Sequence, residues 1–329
     1  MRLGLEVSAS ELDSKEIVTL AKEAEALGIE SFWLNEDIGR DAISLLGTVA
    51  LATQRIHIAT GVINTYTRTP MLIAMTATTL SELSEGRAIM GLTDAHTSYN
   101  ALAHGIIFEP IETAPKRMRD FLQLLHKILE GDTVTWETEY FKIGKAQLSF
   151  RPPPYRLPIY INARQPEMLQ VGGEIADGVN ISIATPQWVR EFALPNLAIG
   201  AEKAGRSVEE IDIAYHPILC MSEDYDKAMN VAKQMFLGYM ENPEVITLLK
   251  SYGYRKEVEA FEEAKATGGR REAPPESLVS AIALVGTPEE VRHRIAEYIA
   301  AGVKLYTIRA QCVDKGATET ALSAMNAFL

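Results

Sequence analysis

The chain has 329 residues, 47% of them hydrophobic and 23% charged, with 44 acidic against 32 basic side chains and a net charge of −12. That balance excludes disordered and low-complexity classes, and the acidity argues against nucleic acid and anionic membrane surfaces, whose binding rests on clustered Lys and Arg. No apolar run approaches the ~18 residues of a membrane span, the start MRLGLEVSAS lacks a signal peptide's apolar core, and Cys220 and Cys312 have no metal-type spacing, so a reduced cytoplasmic protein is expected.

RLGLEV (2–7) reads as the first strand. Ile17, Leu20, Ala21, Ala24 and Leu27 then share one helical face, Gly28 stops the helix, and SFWLN (31–35) is the second strand. Glycine suits that position because the residue after a helix often turns left-handed. IHIAT (56–60) and AIMGL (88–92) follow as strands three and four. Met118, Phe121, Leu122, Leu125, Ile128 and Leu129 recur at spacings of three and four in the clearest helix. Residues 131–157 read as a small hairpin and a Pro-rich loop. IYINA (159–163), GVNIS (178–182) and IDIAYHPIL (211–219) are strands five to seven. Residues 239–277 form a charged helical excursion. Val291, Ile295, Tyr298 and Ile299 mark a last crossover helix stopped by Gly302, before KLYTIRA (304–310), the eighth strand. Several strands are apolar on successive positions, as parallel strands covered on both faces are. Eight alternating units predict an α/β fold of the (β/α)8 TIM-barrel type, a single domain over 1–329 with 131–157 and 239–277 inserted at its C-terminal mouth.

Motifs for other chemistries are missing. The chain has no G-x-x-x-x-G-K-[ST], no G-x-G-x-x-G after a strand, no G-x-S-x-G and no H-E-x-x-H. No metal site is expected. In a TIM barrel the chemistry lies at the C-terminal strand ends. These read Glu6; Asn35-Glu36-Asp37; Thr60 through Asn64; Thr93-Asp94-Ala95-His96; Asn162 through Gln165; Asn180-Ile181-Ser182; Tyr215-His216; and Arg309. Such a polar ring suits a planar polar cofactor and the movement of protons or hydrides. Glu6, late in an apolar strand, is costly to bury unless used or paired, for instance with Arg309. His96 is either a proton shuttle, since imidazole titrates near neutral pH, or an exposed loop histidine.

Three segments resemble the bacterial-luciferase-like superfamily of flavin and deazaflavin oxidoreductases: RIHIATGVINTYTRTPMLIAMTATTLSELSEGRAIMGL, IYINARQPEMLQVGGEIADGVNIS and LVGTPEEVRHRIAEYIAAGVKLYTIRA. The opening MRLGLEV, WLNED and the tail DKGATETALSAMNAFL resemble its methylenetetrahydromethanopterin reductase branch, which uses the deazaflavin coenzyme F420. The resemblance implies hydride transfer to or from a C1-bearing pterin. A reduced-FMN monooxygenase and a catalytically silent flavin-binding homologue stay open as alternatives. It also implies a non-proline cis peptide at Gly61-Val62 against the ring, a coenzyme contact at Asn64, and a phosphate-receiving loop at Ala163, Arg164 and Gln165 beside a helix N-terminus. Glu6 matches a carboxylate that protrudes into the pocket, and Glu6 or His96 would deliver or relay the proton. The chain departs from the family where Glu36-Asp37 replaces Asp-His beside the coenzyme, where His96 stands for an acid, and where Arg68-Thr69-Pro70 replaces Arg-His-Pro. Against the net charge, the anionic coenzyme would be held locally, by that helix N-terminus and by Arg40, Arg68 and Arg164. Family habit implies a small-molecule substrate and a homo-oligomer, dimer or tetramer.

Overall fold

The structure, a computed structural model, describes residues 2–94, 103–266 and 273–329. Its strands are β1 (Arg2–Ser8), β2 (Ser31–Asn35), β3 (His57–Thr60), β4 (Ile63–Asn64), β5 (Ala88–Thr93), β6 (Val134–Glu137), β7 (Lys142–Ala146), β8 (Ile159–Asn162), β9 (Gly178–Ile181), β10 (Asp212–Tyr215), β11 (Leu219–Met221), β12 (Leu284–Gly286) and β13 (Leu305–Ile308). Eight of them, in the order β3-β2-β1-β13-β10-β9-β8-β5, pair in parallel, and β3 closes on β5. The expected (β/α)8 TIM barrel is therefore present.

Side-chain alternation along β1 shows how the sequence fills it. Leu3, Leu5 and Val7 pack into the main core under the helices. Glu6 stands opposite Trp33 in the β1–β2 register, and Trp33 belongs to a separate cluster with Ala59, Ile89, Tyr160, Ala214 and Leu305. Those six come from six barrel strands and plug the interior, which leaves only the C-terminal mouth for a ligand. Helix starts carry their own signals. Asp13 with Glu16 and Thr287 with Glu290 form capping boxes, and Thr69 caps the helix that Pro70 opens. Gly28 and Gly302 follow helices at φ of 83° and 112°, as their positions in the sequence predict.

One predicted strand runs on past a bulge and another is broken. The Gly61–Val62 peptide is cis, and between Ala59↔Ile89 and Ile63↔Leu92 the pairing with β5 slips by one residue, so β3 and β4 are one bulged strand. IDIAYHPIL is not one strand. β10 ends at Tyr215, and Pro217, which has no N–H for the ladder, turns the chain out of the barrel. β11 then pairs in parallel with β12, a short strand not predicted from the sequence. Between them run the helices Tyr225–Tyr239, Pro243–Ser251, Arg255–Ala266 and Glu276–Ile282. They share a second core around Cys220, Met229, Phe236, Leu249 and Val279. The charged segment 239–277 is thus the outer part of a longer apolar-cored excursion. Within 131–157, β6 and β7 form an antiparallel hairpin.

Candidate active site

Two chambers open at the mouth and share Asn162, Arg164 and Ser182 in their walls. The inner one, about 190 Å³, is bounded by Glu6, Gly61, Val62, His216, Tyr239 and Arg309. The outer one, about 770 Å³, is bounded by Asp94, Lys116, Arg119, Gln165, Glu167 and Lys203. Sites for drug-sized ligands usually measure ~300–1,000 Å³. The inner chamber alone is too small for such a molecule, and the outer one is large enough for its bulk.

Glu6 anchors the inner chamber. Its carboxylate is buried and lies 2.6 Å from His216 Nδ1, 3.3 Å from Thr307 Oγ1 and 3.6 Å from Arg309 Nη1. Burial pushes the carboxyl up, but His216 and then Arg309 outweigh that, and it titrates below the usual glutamate value. The Arg309 pair weighed from the sequence exists, yet a nearer partner stands beside it. His216 follows β10, and its Nε2 lies 3.1 Å from Asn180 Oδ1 on β9. It is the residue that sequence reasoning missed: it appears among the strand ends, but no motif joins it to Glu6, 210 positions away.

Gly61 and Val62 line the inner chamber with the expected cis bond. A Cβ on Gly61 would come 3.1 Å from Trp33 Cβ, so glycine there answers to the tryptophan packed against it. Asn64 is buried at the start of the next turn, where its Oδ1 accepts from the Tyr66 N–H at 2.9 Å, and it bounds neither chamber. Glu36 and Asp37 are likewise engaged elsewhere. Glu36 is ion-paired with Arg68, which also holds Asp41. Asp37 accepts from Ser8 and Ser10 at 2.7 and 2.6 Å. Arg68 is thereby committed to carboxylates, and Arg40 donates to the Ala9 carbonyl. His96 lies outside the described residues.

Ala163, Arg164 and Gln165 all bound the outer chamber. The Ala163 N–H is taken by the Asn180 carbonyl at 3.2 Å, so it is a barrel hydrogen bond and not a free donor. Gln165 is the N-cap of Pro166–Ile175 and its side chain makes no cap bond. The first intrahelical N–H is that of Leu169, which leaves the Glu167 and Met168 amides without helical partners at this wall. Beneath the same chamber Arg117 donates to Asp94 at 2.7 Å and lies 3.7 Å over the Tyr66 ring, a buried ion pair that the sequence reading did not identify. Its signal was spacing, since Arg117 falls between Ala114 and Phe121 on the apolar face. Among the described residues no group of three or more His, Cys, Asp or Glu is placed to hold a metal ion, and no helix is long and apolar enough to cross a membrane.

Comparison with known proteins agrees with this fold. The chain is 31% identical over 316 residues to 5,10-methylenetetrahydromethanopterin reductase of Archaeoglobus fulgidus, covering 92% of this chain and 91% of the other. It is 31% identical over 240 residues to the F420-dependent glucose-6-phosphate dehydrogenase of Nakamurella multipartita, 70% of each chain. The solved coenzyme F420-dependent tetrahydromethanopterin reductase from Methanopyrus kandleri superposes with a TM-score of 0.84 at 27% identity, over 99% of this chain and 97% of that one. Residues 1–305 match the family described as luciferase-like monooxygenase, and the chain belongs to that family.

Proposed function

We propose that this chain is a cytoplasmic, coenzyme F420-dependent oxidoreductase that moves a hydride to or from a C1-bearing pterin such as methylenetetrahydromethanopterin. The observation that carries the reading is 31% identity to the reductases along 92% of the chain, whereas F420-dependent glucose-6-phosphate dehydrogenases reach 31% over only 70% of it or 26% over 92%. The residues present fit such a coenzyme. The inner chamber offers a narrow floor at Gly61 and Val62 for the edge of a planar ring, and Asn180 Nδ2 and Arg309 Nε are buried donors without a protein partner among the described residues.

When bound, the reduced deazaflavin supplies a hydride from carbon. The chain supplies position and charge. Gly61 and Val62 set how close a ring approaches β3, while Arg164 and the N-terminus at Gln165 hold the phosphate end, aided by the Lys203 side chain of the outer chamber; Lys116 and Arg119 beside it are paired with Glu139 and Glu174. Glu6 with His216 sets the charge at the inner end. Tyr239 and Met235, from the excursion, wall off the inner chamber and keep water from the reacting carbon. Titration of the purified protein with F420 and with FMN, followed by coenzyme fluorescence, tests the reading: F420 is expected to bind the more tightly. Tight FMN binding with no response to F420 overturns it in favour of a flavin monooxygenase.

The oligomer belongs to the same proposal. The helix Ala42–Ala52 carries no charged residue, and it packs beside Pro70–Leu83; Leu51 on the first and Leu72, Met75 and Leu83 on the second are exposed. A second copy of this chain would cover that face. Sedimentation should give a dimer or larger, and a monomer at micromolar concentration would contradict this.

A further inference from the structure

The inner chamber holds a carboxylate and an imidazole in contact, and their hydrogen-bond geometry assigns them different tasks. His216 Nδ1 lies 2.6 Å from Glu6 Oε2 and 3.0 Å from Thr307 Oγ1. A ring nitrogen facing an ionised carboxylate oxygen at that distance carries a hydrogen, because a lone pair there would be repelled. The Thr307 hydroxyl is free to accept as well, since it lies 3.2 Å from the Tyr215 carbonyl, to which it donates. Nδ1–H is therefore fixed, and with it the plane of the ring.

The other nitrogen is not fixed in this way. Nε2 lies 3.1 Å from Asn180 Oδ1, to which a protonated Nε2 donates, while Asn180 Nδ2 is buried and has no hydrogen-bond partner among the described residues. A half-turn of that amide would bring Nδ2 to the ring and let a bare Nε2 accept instead. One buried asparagine thus serves the ring with and without its Nε2 proton. Among the described residues the charged and titratable groups around the pair are few, and Arg164 lines the same chamber. Arg309 reaches Glu6 from beyond β13, Glu11 pairs with Arg309 at 3.3 Å, and Tyr239 bounds the chamber from the excursion. From β2, Trp33 meets the imidazole in a T-shaped contact, 5.3 Å between centroids, and adds no charge.

We propose that His216 is the group that carries the proton in the inner chamber, and that Glu6 is its positioning residue. The proposal rests on the hydride-transfer reading above. In that reaction the hydride from reduced deazaflavin reaches the C1 carbon, the electron pair of the breaking C–N bond returns to nitrogen, and that nitrogen takes one proton. His216 gives it from Nε2 and is left neutral with Nδ1–H still on Glu6, and solvent restores the proton. In the reverse direction the same nitrogen accepts it.

Two readouts test this. In coenzyme-free protein with 15N-labelled histidine, the His216 signals are those missing from H216Q. They should show hydrogen on Nδ1, and E6Q should release the ring into a mixture of tautomers. A bare Nδ1 in the wild type, or a ring unchanged in E6Q, overturns the assignment. In turnover with reduced F420 and methylenetetrahydromethanopterin, H216Q should lose about 100-fold or more in kcat at unchanged coenzyme affinity. H216N serves as a second variant should H216Q not fold. A kcat within about threefold of wild type in a folded variant, too small for a lost proton donor, overturns the proposal. If the wild type itself fails to turn over, the hydride-transfer reading falls, while the labelled spectra still decide the pairing of Glu6 with His216.

Discussion

Removing the Arg117 guanidinium is the sharpest perturbation of the scaffold beneath the outer chamber. Arg117 comes from the helix Ala114–Leu129, and its side chain is 7% exposed beside an Asp94 side chain that is 1% exposed. One amino group donates to Asp94 Oδ1 at 2.7 Å and Thr65 Oγ1 at 3.0 Å, the other to the Thr65 carbonyl at 3.2 Å, and the plane stacks on Tyr66. Methionine has similar length and no charge, so R117M leaves the Asp94 carboxylate buried without its cation. Breaking one side of such a pair typically costs ~3–5 kcal/mol. With an unfolding entropy of ~2.1 cal/mol/K per residue, a chain of 329 residues has about 0.7 kcal/mol/K. The midpoint should therefore fall by about 4–7 °C. Calorimetry and urea unfolding of R117M, D94N and the double variant read this directly. D94N/R117M should be markedly less destabilised than the two single changes summed, because the stranded charge is gone. A loss under ~1 kcal/mol in R117M, or strict additivity in the cycle, refutes the reasoning.

Two further outcomes follow from the same coordinates. A Cβ on Gly91 would lie 2.1 Å from the Thr60 carbonyl oxygen inside the barrel, whereas one on Gly144 in the hairpin meets nothing within 4 Å. G91A should lose more than ~3 kcal/mol or fail to fold and G144A stay within ~0.5 kcal/mol by urea unfolding, and equal effects would show that the clash relaxes freely. Glu6 titrates below its unfolded value, so its ionised form adds stability that is complete above about pH 4.5 and is lost as pH falls through the folded-state value. E6Q lacks that increment. The stability gap between wild type and E6Q should therefore narrow on acidification from pH 7 to pH 3.5, and a constant gap contradicts it.

What the sequence disclosed follows from how local each signal is. The strands, their alternation with helices and the glycine stops depend on neighbours within one or two turns, and Ile17 to Leu27 or Met118 to Leu129 were legible at once. The break at Pro217 was not. Apolar residues on both sides of it look continuous, and only the parallel partner β12, some sixty residues away, shows that Leu219–Met221 leave the barrel. The same division holds at the mouth. Glu6 stood out because a charge in β1 is anomalous by itself, and Arg164 because its segment resembles the family's phosphate-receiving loop, just before the helix Pro166–Ile175. His216 and Asn180 look like ordinary strand-end residues, and their significance is a distance to Glu6 and to each other that closure of the barrel creates. Glu36 and Asp37 failed to reach the chambers for a similar reason: Arg68, Ser8 and Ser10 meet them first.

The most direct test of the proposed chemistry is anaerobic turnover. Purified protein is mixed with reduced F420, methylenetetrahydromethanopterin is added, and the absorbance of oxidised coenzyme is followed, with reduced FMN and dioxygen as the parallel arm. F420 oxidation should depend on the pterin, yield the methyl product one for one and need no oxygen. Oxygen-dependent oxidation of reduced FMN, with no pterin-dependent F420 signal, would contradict it.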